Sequence, residues 1–340
     1  MPLRTALTDL LGIKHPIIQG GMQYVGYAEM ASAVSNAGGL GILTALTQAT
    51  PDDLRKEIHR CRTMTSKPFG VNLTILPSLI SADYDGYARV IAEEKVTLCE
   101  IAGGSPAKFV PIFHANGVTK VLHKSATLRH ALKAEKSGVD LIEIVGYEAS
   151  IAGGQPGDEI GLWVALTLAL EKIKTVPIVA SGASATGRQL AAAIAMGACG
   201  ITMATRFLAT KEAPIHPNIK QALLNADEKS TTIVLSQLSN STRVFKNAVS
   251  ERIREIEFDP ENHEGLNFDQ VASLANGKRT KEMWQNNGNY NDAMWSCAQS
   301  VGLINDIPSC QALIDRIVQD AEAQLHLAKR AILDRGRSKL

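Results

Sequence analysis

Up to about residue 205 this chain repeats one unit: a short apolar run, a turn, then a longer run with helical spacing. That alternation constrains the fold more than any other feature. Short, wholly apolar runs are strands buried on both faces, and helices between them make consecutive strands parallel. Strands are expected at Pro16–Gln19, Leu40–Leu43, Phe69–Asn72, Leu98–Ile101, Thr119–Leu122, Leu141–Val145, Pro177–Ala180 and Gly200–Met203. Helices are expected between them, and several carry their own stops and starts. Thr50-Pro51-Asp52-Asp53 is an N-cap, a proline at the first helical position and acids in the first turn. Asn116-Gly117, Ser137-Gly138 and Met196-Gly197 are C-terminal stops. Eight strands with seven intervening helices predict an α/β chain folded as a (β/α)8 TIM barrel, whose sites form at the C-terminal strand ends. The competitor, an open doubly wound sheet, places Gly-x-Gly-x-x-Gly after its first strand, and that motif is absent here.

After Phe207 the alternation stops. The rest reads as mainly helical and is too long for one terminal barrel helix, so an added C-terminal helical subdomain is expected. The predicted division is 1–212 for the barrel, 213–310 for the subdomain and 311–340 for a helix returning to the barrel. A net charge of +1 with interspersed signs gives no electrostatic case for nucleic acid or an anionic membrane. No apolar stretch reaches the ~18–20 residues of a membrane span, and the first residues lack a signal-peptide core. The five cysteines are scattered without a Cys-x-x-Cys pair. This points to a reducing cytoplasm and away from a disulfide frame or zinc site. The eight histidines show no metal-ligand spacing, so no metal is expected.

Chemistry is sought at the strand ends. Ser181-Gly182-Ala183 after the seventh strand and Ala204-Thr205 after the eighth are small and rich in donors. With the helix that follows Ala183, they predict a phosphate cradle of the kind barrels build there; read singly, they are also ordinary β–α turns. Gly20-Gly21-Met22 after the first strand allows a flat ligand close to the backbone, or is a glycine turn beside a core methionine. Asn72 ends the third strand, placed to read a heterocycle edge or to cap the next turn. Lys124 follows the fifth strand, where its charge could stabilise a phosphate or a reduced anionic ring, or simply be solvated. Its neighbour His123 is assigned a structural role. Residues 146–159 form a loop with four glycines, in which Glu148, Asp158 and Glu159 are read as solvated charges.

Several motifs together resemble one family. Pro16-Ile17-Ile18-Gln19-Gly20-Gly21-Met22, Ala33-Val34-Ser35-Asn36-Ala37-Gly38-Gly39-Leu40-Gly41, Pro68-Phe69-Gly70-Val71-Asn72-Leu73 and the two turns of the cradle resemble the nitronate monooxygenase (2-nitropropane dioxygenase) family of FMN-dependent barrels. Residues 209–217 and 295–304 look most like its NADH:quinone reductase branch. The resemblance implies FMN with its ring against Gly21, Met22, Asn72 and Lys124. It implies the phosphate on Ser181, Gly182, Ala183, Met203, Ala204 and Thr205. Gly153 and Gly154 would line the ring's other side, with Gln299 nearby. Two departures stand out. Ala183 replaces a usual second glycine, tolerable if its backbone angle is ordinary. Gln155 occupies the place of the family's histidine base. The implied activities are oxidation of an alkyl nitronate with O2, or NAD(P)H-dependent reduction of a quinone, with Gln155 and Lys124 as the catalytic candidates. A flavin-binding protein with little turnover and a non-redox barrel enzyme with a phosphorylated substrate are the other readings, and a monomer or homodimer is expected.

Overall fold

The computed structural model describes residues 3–75, 82–150, 159–261 and 265–337, the last five of these by backbone alone. Eight parallel strands form the barrel: β1 (Ile17–Gln19), β2 (Gly41–Thr44), β3 (Phe69–Ile75), β4 (Leu98–Gly103), β5 (Lys120–Ser125), β6 (Leu141–Val145), β7 (Ile178–Ser181) and β8 (Gly200–Met203). Their order is β1-β8-β7-β6-β5-β4-β3-β2. The remaining seam, between β1 and β2, holds one bridge, Ile18 to Leu40. There the Gln19 side chain completes the ladder, accepting from the Ile42 N–H at 3.0 Å. The expected strands are all present. The largest differences are β3, which runs on past Asn72 to Ile75, and β5, which runs on through His123 and Lys124 to Ser125. Asn72 and Lys124 therefore lie within strands and not at or beyond their ends.

Side chains alternate across a strand, and this period sorts the barrel interior into layers. Ile18, Leu40, Ile42, Leu98, Leu122, Leu141 and Val179 pack with Leu7 and Leu11 into an apolar floor. The helix Ala6–Leu11 plugs the N-terminal end. Gly200 is glycine because a Cβ would lie 2.6 Å from Leu7 Cδ2 and from the Pro16 carbonyl. Two residues above Leu98, Leu122 and Leu141, on the same face, stand Glu100, Lys124 and Glu143.

Beyond β8 the chain departs from an all-helical expectation. An antiparallel hairpin, β9 (Thr231–Val234) with β10 (Thr242–Phe245), interrupts the helices. Val234, Val244, Val249, Ile253 and Val271 give this region a small core of its own. Four-residue β-branched runs are strands only where a partner is in register, and no local pattern announced one. The long helix Cys310–Arg337 then returns to pack on the helices Gly187–Met196 and Ala28–Asn36. It thereby takes the place of the eighth barrel helix, and residues 209–309 are an insertion before it. At the closest approach a Cβ on Gly187 would lie 2.3 Å from the Ile317 carbonyl, so glycine sets how near the helix can come. The five cysteines are free and buried. Among the described residues no helix is long and apolar enough to cross a membrane.

Candidate active site at the barrel mouth

The mouth is built on the polar layer. The Lys124 ammonium sits 2.8 Å from Glu100 Oε1 and 3.3 Å from Glu143 Oε1, with both carboxylates fully buried. Burial by itself pushes the lysine pKa down, but the two carboxylates outweigh it and hold the ammonium above its ordinary value. Glu100 Oε2 also accepts from the Gly21 N–H at 3.0 Å and Asn72 Nδ2 at 2.8 Å. The residues expected on one side of a flat ligand thus converge on Glu100. Thr202 Oγ1 donates to Glu143 Oε2 at 2.9 Å. Close approach explains the glycine pair: a Cβ on Gly20 would lie 2.9 Å from the Thr202 methyl, and one on Gly21 2.3 Å from Asn72 Cγ. Met22 is buried beside them, its N–H and carbonyl both bonded to Thr44 Oγ1 at 3.0 Å.

Glu100, Glu143 and Thr202 were missed in the sequence, although a signal was there. Leu98-Cys99-Glu100, Leu122-His123-Lys124 and Leu141-Ile142-Glu143 repeat an inward leucine followed two residues later by a charge. A charge at that spacing in a strand buried on both faces has nowhere to go but the barrel interior. By the same alternation His123 faces outward, Nδ1 2.8 Å from Ser125 Oγ and Nε2 3.2 Å from the Gly104 carbonyl. Burial pushes its pKa down to about 4, so it is neutral at pH 7.

The cradle residues come together across one strand pair. Ser181 on β7 is in register with Thr202 on β8, and Met203, Ala204 and Thr205 follow. Among the described residues, the backbone N–H groups of Gly182, Ala183, Ser184 and Ala204 have no hydrogen-bond acceptor. These unspent donors fit a phosphate. The following helix contributes less than expected. It begins at Gly187, and Gln189 Oε1 accepts from Ala185 N at 2.8 Å and Thr186 N at 3.2 Å. The donors left open lie in the turn itself, not at the helix N-terminus. Ala183 also departs from expectation: its φ is +58°, in the left-handed region. That conformation costs an L-residue about 1–2 kcal/mol. Ala183→Gly, after the greater chain entropy of glycine is subtracted, is expected to stabilise the protein by about 0.5–1 kcal/mol. The denaturant midpoint of the variant checks this.

The inserted region closes the mouth. Ala298 N–H donates to Thr205 Oγ1 at 3.0 Å, and Gln299 N–H to the Glu148 carbonyl at 3.0 Å. Gln299 is therefore held between the cradle and the β6 loop. Buried Arg243 on β10 grips the base of that loop, its Nε and Nη2 donating to the Tyr147 carbonyl at 3.2 and 3.1 Å. Glu148 is not a solvated charge: its carboxylate accepts from Leu162 N–H at 3.0 and 3.2 Å, at the start of the helix Leu162–Lys172. Glu159 remains exposed and accepts from the Tyr147 hydroxyl at 3.0 Å. Gly153, Gly154, Gln155 and Asp158 lie outside the described residues.

Comparison with known proteins agrees with this arrangement. Residues 4–320 match the sequence model of a family described as nitronate monooxygenase. A (3aS,4S,5R,7aS)-5-hydroxy-7a-methyl-1-oxo-octahydro-1H-indene-4-carboxyl-CoA dehydrogenase of Rhodococcus jostii is 31% identical, the match covering 94% of this chain and 96% of that one. A nitronate monooxygenase of Paraburkholderia phytofirmans is 27% identical, with 95% and 97% covered. Among solved structures, FabK from Thermotoga maritima superposes with a TM-score of 0.87 at 32% identity, covering 97% of this chain and 99% of that one. The relatives are named for oxidoreductase activities, and the matches run through barrel, insertion and returning helix alike. On that length of agreement, the chain belongs to the nitronate monooxygenase family.

Proposed function

We propose that this protein is an FMN-dependent oxidoreductase that oxidises alkyl nitronates with O2. The observation that carries the reading is the row of unspent N–H donors at the ends of β7 and β8, a seat for one phosphate beside a glycine-walled mouth. Ser181, Gly182, Ala183, Met203, Ala204 and Thr205 hold the phosphate; Gly21, Met22, Asn72 and Lys124 meet the ring. The family resemblance assigns Gly153 and Gly154 to its other side, with Gln299 near. FMN, when bound, supplies two-electron redox chemistry at the ring. The chain binds, orients and sets the local charge.

What the chain lacks narrows the substrate. Gln155 stands where the family resemblance expects a histidine base, and an amide cannot take a proton near pH 7. His123 does not replace it, being turned outward and spent on two partners. General-base help is worth about 10²–10⁴-fold in rate, so a neutral nitroalkane, which must first lose an α-proton, is a poor substrate. A nitronate arrives without that proton. The second reading, NAD(P)H-dependent reduction of a quinone or a thioester-linked acceptor, is favoured by the 31% identity to a protein named a CoA-ester dehydrogenase. Hydride transfer also needs alignment and no protein base.

Anaerobic mixing of the FMN-loaded protein separates these readings. Bleaching of the flavin by an alkyl nitronate and not by NADH or NADPH is the expected result. Bleaching by a nicotinamide alone replaces it with the reductase reading. Gln155→His is expected to raise turnover of neutral nitroalkanes by at least tenfold, and unchanged turnover at equal FMN content removes Gln155 from the base position.

A further inference from the structure

The upper layer of the barrel holds one ammonium and two carboxylates, which leaves one negative charge over if both carboxylates are ionised. The two are not equivalent. Glu100 is met by three groups that only donate: Lys124 at 2.8 Å, the Gly21 N–H at 3.0 Å and Asn72 Nδ2 at 2.8 Å. Glu143 has the longer ammonium contact, 3.3 Å, and otherwise the hydroxyls of Thr202 and Ser181. A hydroxyl donates or accepts as required, so these partners accommodate an acid as well as a carboxylate. Around Glu143, β4 brings Glu100, β5 brings Lys124, β7 brings Ser181 and β8 brings Thr202. The floor beneath is Leu98, Leu122, Leu141 and Val179. Among the described residues no second Lys, Arg or His pairs with either carboxylate. An uncompensated charge buried here costs several kcal/mol, and one bound proton removes it.

We propose that Glu143 is a neutral carboxylic acid at pH 7 and that its proton sets the charge of the site. With the proton on, the Glu100–Lys124–Glu143 cluster is neutral. With it off, the cluster carries one negative charge under the mouth, where a Cβ on Gly20 would lie only 3.4 Å from the Lys124 ammonium. Burial raises the Glu143 pKa above the usual carboxylate range, against the opposite pull of Lys124. The folded protein therefore holds this proton more tightly than the unfolded chain. The stability it contributes is full below the unfolded carboxylate pKa and is lost as pH rises through the folded value. Where the flavin reading above holds, Glu143 also sets an upper pH limit on anion binding over Lys124.

Infrared difference spectra of the ligand-free protein, wild type minus Glu143→Gln, test this. A protonated carboxyl C=O band is expected at neutral pH, fading as pH rises. The unfolding midpoint of wild type, relative to the variant, should fall from the unfolded carboxylate pKa up to the interval in which the band fades, and be level beyond it. In the FMN-loaded protein, Kd for FMN is expected to rise up to about tenfold per pH unit across that interval in wild type only. If Glu143→Gln does not fold, Thr202→Val and Glu100→Gln decide the matter. Thr202→Val removes a hydroxyl that meets Glu143 and not Glu100, so the acid band should shift in frequency, and a band left in place overturns the assignment to Glu143. In Glu100→Gln, where Lys124 has Glu143 alone, the band should vanish. An acid band that survives in Glu100→Gln, or one absent from wild type at pH 7, overturns the proposal. Failure to bind FMN would instead overturn the flavin reading, leaving the ligand-free spectra and unfolding curves to judge Glu143.

Discussion

Lys124→Met is expected to destabilise the folded protein by about 3–5 kcal/mol at neutral pH, the cost of removing one partner from a buried ion pair. The substitution keeps the length of the side chain and deletes the only cation that, among the described residues, faces Glu100 and Glu143. Either a carboxylate stays charged without a counter-ion or a further proton must be bound. Holding a glutamate carboxyl protonated at pH 7 costs about 4 kcal/mol, which sets the same scale. The penalty grows as pH rises through the carboxylate range, where the unfolded chain gives up its protons, and shrinks below it. Urea unfolding at pH 4.5 and 7.5 reads both arms. The double variant Glu100→Gln/Lys124→Met should recover much of the loss, because replacing both members of a buried pair is far cheaper than orphaning one. A Lys124→Met protein within 1 kcal/mol of wild type at pH 7.5 would show that water reaches the cluster.

Gly21→Ala is expected to cost about 2–4 kcal/mol and to weaken the proposed FMN binding at least tenfold. Its new Cβ would meet Asn72 Cγ at 2.3 Å and Asn72 Cβ at 2.5 Å. The second contact matters more, since turning the amide cannot relieve it and β3 itself must move. Asn72 Nδ2 would then leave Glu100, and the Gly21 N–H bond to the same carboxylate would loosen. Hydrogen bonds to a charged group are worth about 1.5–3 kcal/mol each. Gly20→Ala is the milder control, meeting a methyl of Thr202 at 2.9 Å. Denaturant unfolding and FMN titration of the two variants check the order, and equal behaviour would mean that β3 yields freely.

Much of this protein was legible in its order of residues. The eight strands, their parallel sense and the helix start at Thr50 are local or nearly local: each follows from a run of apolar residues or the cap beside it. The turns after β7 and β8 draw attention in the sequence because small, donor-rich residues recur at consecutive strand ends. Lys124 stands out in the sequence beside the fifth strand, yet its partners do not, because Glu100 and Glu143 stand in strand interiors and not at strand ends.

Other features belong to tertiary structure alone. Sequence determined the barrel because hydrophobic period and helix punctuation act within ten or fifteen residues. It could not determine that Lys124 would be neutralised on both sides, that Ala183 would be held left-handed, or that Thr231–Val234 would find Thr242–Phe245. Nor could it show that Gly187 is the point where the last helix docks as the barrel's eighth. Each of these depends on groups brought together from distant parts of the chain or on strain imposed by their packing, and distance in space is what a one-dimensional pattern does not carry.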